Sequence, residues 1–125
     1  EEGWENLYAR HARHAEATRR AVDAWGFENY CRDPNRSSLT VTTVLVPEDV
    51  SANQIRKVIL DRYDMSLGTG LGKLADKVFR IGHLGSFNDL MLAGTLAGVE
   101  MGLAAVEVRH STGGVTAALE FLKAD

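Results

Sequence analysis

Apolar side chains recur every three or four residues from Trp4 to about Trp25: Trp4, Leu7, Tyr8, His11, Ala15, Thr18, Val22 and Trp25. That spacing predicts a helix with a narrow apolar stripe, and Arg10, Arg13, Glu16, Arg19, Arg20 and Asp23 fill the rest of its surface. Gly26 is placed to end it. Phe27 to Ser38 reads as a loop, because Asp33-Pro34-Asn35 and Ser37-Ser38 are turn chemistry. Leu39 to Val46 is rich in β-branched residues and predicts a strand, with Leu39, Val41, Thr43 and Leu45 on one face and Thr40, Thr42, Val44 and Val46 on the other. Pro47 stops it. Ser51 with Gln54 three residues on is a capping box for a helix to about Tyr63, whose apolar face is Ile55, Val58 and Ile59.

Met65 to Gly68 reads as a short strand, Thr69 to Lys77 as a glycine-rich loop, and Val78 to Gly82 as a strand with Phe79 and Ile81 facing away from Val78 and Arg80. Ser86 and Asp89 open a long helix to about Val106, with Leu92, Leu96, Val99, Leu103 and Val106 as its core stripe. Gly94, Gly98 and Gly102 lie four apart on the neighbouring stripe. Each glycine costs ~1 kcal/mol against alanine inside a helix, so three in register predict a face where another backbone comes very close. His110 to Gly114 is a break, and Val115 to Leu122 a last helix contacting its neighbours through Val115, Leu119 and Leu122.

The order helix, strand, helix, strand, strand, helix, helix predicts an α+β fold: a small antiparallel or mixed sheet of about three strands with helices on one face. The other face is left for water or another domain. No repeat or shift in composition divides the 125 residues, which read as one domain spanning 1–125. With 45% hydrophobic and 25% charged residues the chain is of ordinary globular composition, which excludes disorder. The net charge of −3 argues against a nucleic-acid partner. The longest apolar run, Leu90 to Val99, is about half the ~20 residues that a spanning helix needs, so no membrane segment is expected. The opening Glu1-Glu2-Gly3-Trp4 has no initiator methionine and no apolar leader, and reads as the start of a fragment. Cys31, the single cysteine, cannot form an internal disulfide, which fits a reducing compartment, the cytoplasm.

The candidate chemistry is thin. His11 and His14, with Arg10 and Arg13, lack the partners of a zinc site and read as an exposed polar face with His11 partly buried. No metal site is expected. Gly68-Thr69-Gly70-Leu71-Gly72-Lys73 lacks both the Walker pattern and the dinucleotide pattern, leaving a close-approach loop between two strands. Lys73 and Lys77 flank that loop beside charged neighbours, whereas a Schiff-base lysine must be desolvated. His83 has no triad partner at a telling spacing and reads as a structural histidine bonded to backbone. Arg80 is the informative residue, a guanidinium inside the apolar strand Val78-Phe79-Arg80-Ile81-Gly82. It is either a snorkelling side chain or a fork for a carboxylate.

The stretch Leu67 to Gly85, LGTGLGKLADKVFRIGHLG, resembles the C-terminal part of class V, fold-type I pyridoxal-phosphate aminotransferases, above all alanine–glyoxylate and serine–glyoxylate aminotransferases. NDLMLAGTLAGVEMGL and ENLYARHARHAEATRRAVDAWGF continue the likeness over nearly the whole chain. The resemblance implies a small C-terminal domain packed on a large domain of the same chain, which holds pyridoxal 5'-phosphate, in a homodimer with residues of both subunits at each active site. It implies ping-pong transfer of an amino group from a serine- or alanine-type amino acid to glyoxylate. It makes Arg80 the substrate-carboxylate ligand and puts Gly70, Leu71 and Gly72 along the substrate side. No catalytic base and no cofactor-binding residue is expected among these 125 residues, so the fragment alone should be inactive. The alternatives are another class V aminotransferase, of ureidoglycine–glyoxylate or phosphonate type, and a stand-alone α+β ligand-binding or regulatory module.

Overall fold

A computed structural model describes residues 4–30, 41–70, 72–82 and 88–123. Helix α1 spans Trp4–Trp25. Gly26 ends it at φ +89°. There the Phe27 amide donates to the Val22 carbonyl and the Gly26 amide to the Asp23 carbonyl, the paired bonds of a glycine-terminated helix. Two short strands follow, β1 at Glu28–Asn29 and β2 at Val41–Leu45. Helix α2 is Ala52–Tyr63. The hydroxyl of Ser51 accepts the Gln54 backbone amide at 3.1 Å, the N-cap half of the predicted capping box. Strand β3 is Gly68–Thr69, and β4 is Val78–Gly82 after one 3₁₀ turn at Gly72–Leu74. Helices α3, Asp89–Ala105, and α4, Gly114–Lys123, complete the described chain.

The strands form one antiparallel sheet in the order β1-β2-β4-β3. Val44 pairs with Phe79 and Thr42 with Ile81, and all four are buried. This face meets the helices in a core that contains Trp25, Ile55, Ile59, Phe79, Ile81, Leu92, Leu96 and Leu103. The opposite face carries Thr43 and Arg80, the latter exposed. The architecture is therefore α+β with an open sheet, as the residue pattern implied, with four strands rather than about three. The extra one, β1, falls inside the predicted Phe27–Ser38 loop, where Glu28 and Asn29 pair with Leu45 and Val44. Strand β3 begins at Gly68, later than the expected Met65 start. Met65 packs on the core instead, its side chain against Gly98 of α3.

The helices lock through particular contacts. Glu100 of α3 accepts the Trp25 indole N–H at 2.7 Å and the Gly114 amide at 3.0 Å, so one carboxylate oxygen joins α1, α3 and the start of α4. Arg13 donates to both oxygens of Asp89, at 2.7 and 3.0 Å, and at 2.6 Å to the Leu122 carbonyl of α4. Of the three glycines on α3, Gly98 lies under Met65 and Gly102 under Ile59 of α2, while a side chain at Gly94 would meet nothing within 4 Å. Side chains, and not the backbone that the stripe led us to expect, thus fill the space over two of its three members. Leu122 is buried on α4 as expected, but Leu119, also expected as a contact, is 43% exposed, and Ala118 is buried instead. The long helix starts from Asn88, whose side chain accepts the Met91 amide at 2.8 Å. Ser86, Leu39, Thr40, Leu71, His83 and Cys31 lie outside the described residues.

Candidate functional site

Arg80 stands in the middle of the open sheet face. Strand β4 has neighbours on both sides, and the register sets Arg80 between Thr43 of β2 and Gly68 of β3. Alternation along β4 buries Phe79 and Ile81 and turns Arg80 outward. Among the described residues no carboxylate pairs with its side chain and no group hydrogen-bonds its guanidinium. Its stem runs close over Gly68: a Cβ built there would stand 3.0 Å from both the Cβ and the Nε of Arg80. An exposed guanidinium with five donors and no internal acceptor is suited to bind a carboxylate through two parallel hydrogen bonds.

The turn before β4 is built tightly. A Cβ at Gly70 would lie 2.3 Å from the Leu74 carbonyl oxygen and 2.7 Å from the Val78 side chain, so this buried glycine shapes the turn and covers Val78. Gly72 has φ +57° and open space around it. Asp76, at φ +63°, ties the turn to the N-terminus of α2. Its carboxylate accepts the Ser51 hydroxyl at 2.6 Å and the Asn53 amide at 2.9 Å. Those two hydrogen bonds, that of Ser51 foremost, hold its pKa below the usual carboxylate value.

The histidine pair differs from its reading as an exposed face. His11 is half-buried as expected, but His14 is only 1% exposed, and its Nε2 lies 2.9 Å from Asp89. No group of three metal-ligating side chains occurs among the described residues. No described helix is long and apolar enough to cross a membrane. Sequence reasoning singled out Arg80 as a candidate because charge is out of place in an apolar strand. It missed Gly68 as the floor beneath Arg80, since only the pairing of β3 with β4 brings them together.

No family model matches the chain. It is 49% identical over 124 residues to a serine–glyoxylate aminotransferase of Methylorubrum extorquens, covering 98% of this chain and 31% of that protein. It is 51% identical to the serine–glyoxylate aminotransferase of Arabidopsis thaliana over the same shares. Among solved structures, ureidoglycine–glyoxylate aminotransferase from Bacillus subtilis superposes with a TM-score of 0.89 at 26% identity, over 97% of this chain and 32% of that one. The chain thus spans about a third of the length of the curated relatives it matches. Sequence and fold together show that it matches the small C-terminal part of a class V aminotransferase.

Proposed function

We propose that these residues form the small C-terminal domain of a pyridoxal-phosphate-dependent aminotransferase that moves an amino group from a serine- or alanine-type amino acid to glyoxylate, with Arg80 binding the substrate carboxylate. The observation that carries this reading is the placement of Arg80: fixed in the sheet between two neighbouring strands, exposed, and unpaired among the described residues. Relatives at about half identity that act on serine and glyoxylate supply the substrate class.

The described residues do not themselves fit the cofactor. Its lysine must be desolvated to be reactive. Lys57 and Lys123 are surface ion-pair partners of Asp61 and Glu120, and Lys73 and Lys77 are exposed. On this reading the cofactor belongs to the large domain of the same chain, within a homodimer, and no chemical step is assigned to the residues of this region. Their work is recognition. Holding the carboxylate would fix the amino acid's orientation, with Gly70 and Gly72 on the substrate side.

The test is steady-state kinetics on the full-length enzyme with L-serine and glyoxylate. Arg80→Ala should lower kcat/KM for serine about 30- to 4,000-fold, the loss typical of one member of a buried charge pair. The cofactor absorption spectrum should be unchanged. Arg80→Lys should recover little, because an ammonium lacks the planar fork. Near-normal kcat/KM in Arg80→Ala would remove Arg80 from the substrate site.

A further inference from the structure

We infer that Gly68 is a positioning residue for Arg80, its missing side chain being the track along which the arginine stem reaches its working direction. The inference rests on the reading of Arg80 as the carboxylate ligand.

The two strands that flank Arg80 offer it unequal space. In register on one side is Thr43, β-branched and half-buried; on the other is Gly68. The stem lies over the bare glycine. A Cβ built on Gly68 would stand 3.0 Å from the Cβ of Arg80, 3.0 Å from its Nε and 3.4 Å from its Cζ. Directly opposed Cβ atoms in antiparallel sheets are ~4.5–5.5 Å apart, so at 3.0 Å the arginine stem must give way by a few tenths of an ångström to admit a methyl group. The contact with the Cβ of Arg80 presses on backbone, whereas the contacts with Nε and Cζ press on the part of the side chain that can turn. An added methyl therefore both spreads the strands slightly and drives the guanidinium off its path, toward Thr43. Glycine inside a strand is unfavourable for pairing and marks close approach by another group. Here that group is the arginine stem itself.

The experiment is a double-substitution cycle in the full-length enzyme, comparing unmodified protein, Gly68→Ala, Arg80→Ala and the pair, assayed with L-serine and glyoxylate. Gly68→Ala should lower kcat/KM for serine about 5- to 30-fold, mostly through a raised KM, as expected for a guanidinium shifted by a fraction of an ångström. In the Arg80→Ala background the same change should cost less than about threefold, because the groups that it displaces are gone. Crowding against the Cβ of residue 80 is common to both backgrounds and cancels in the comparison. An equal loss in both backgrounds would mean that the glycine serves the sheet and not the arginine, and would overturn the inference. A crippled Arg80→Ala beside a fully active Gly68→Ala would overturn it too, while leaving Arg80 as the carboxylate ligand. A fully active Arg80→Ala would instead defeat the underlying reading, and this inference with it. If Gly68→Ala folds only when Arg80 is also alanine, the inference is supported; if it folds in neither background, it fails.

Discussion

One methyl group separates the roles of the three glycines of α3. At Gly94 an added Cβ meets nothing within 4 Å, so Gly94→Ala should stabilise the fold by about 0.4–1 kcal/mol through a stiffer unfolded chain. At Gly102 the same atom would stand 2.3 Å from the Cγ1 and 2.7 Å from the Cδ1 of Ile59, which is fully buried and has nowhere to retreat. Gly102→Ala should therefore cost about 1–3 kcal/mol. Urea denaturation of both variants checks this, and midpoints moving in the same direction would contradict it. Nothing in the sequence separates these glycines, since their spacing is identical and only the positions of α2 and of Met65 beyond it decide which is covered. Arg80 was legible for the opposite reason, as its polarity conflicts with the apolar residues beside it. Gly68 and the His14–Asp89 pair were not, because their partners are set by sheet register and by contact between distant helices.

At the scale of elements, long periodic segments were readable and two-residue ones were not. The extents of α1, α2, β4 and α3 follow from apolar spacing, caps and breakers that act locally. Strands β1 and β3 have two residues each, too few to show alternation, and exist because β2 and β4 offer them edges. Joints between elements depend equally on partners far away in sequence. Glu100 is the clearest, since its single oxygen Oε1 takes donors from both Trp25 and Gly114. Glu100→Ala should leave the buried indole N–H without its acceptor and cost about 1–3 kcal/mol. Glu100→Gln, which keeps a carbonyl oxygen there, should recover part of the loss. An unchanged unfolding midpoint in the alanine variant would show that the joint contributes nothing to stability.

Across the whole molecule, Asp89 is a joint between helices that acid should loosen. Hydrogen bonds from Arg13, the largest influence, together with that of His14, outweigh partial burial and hold its pKa below the ordinary value. A carboxylate whose pKa is depressed on folding stabilises the fold above its unfolded pKa of ~3.9, and that contribution fades as pH falls through the lower folded value. Stability should thus decline below about pH 5, and Asp89→Asn should flatten that decline in urea midpoints taken across the acid range. Parallel acid limbs for the two proteins would refute the assignment. The same cluster bears on how the polypeptide is made. Arg13 reaches the Leu122 carbonyl across 109 positions of sequence. A chain emerging from the ribosome therefore exposes this flank of α1 until almost all of the region has been synthesised. Contacts between such distant positions slow folding more than they alter final stability. The interval before α4 arrives is when nascent α1 is most open to chaperones and to misplaced partners.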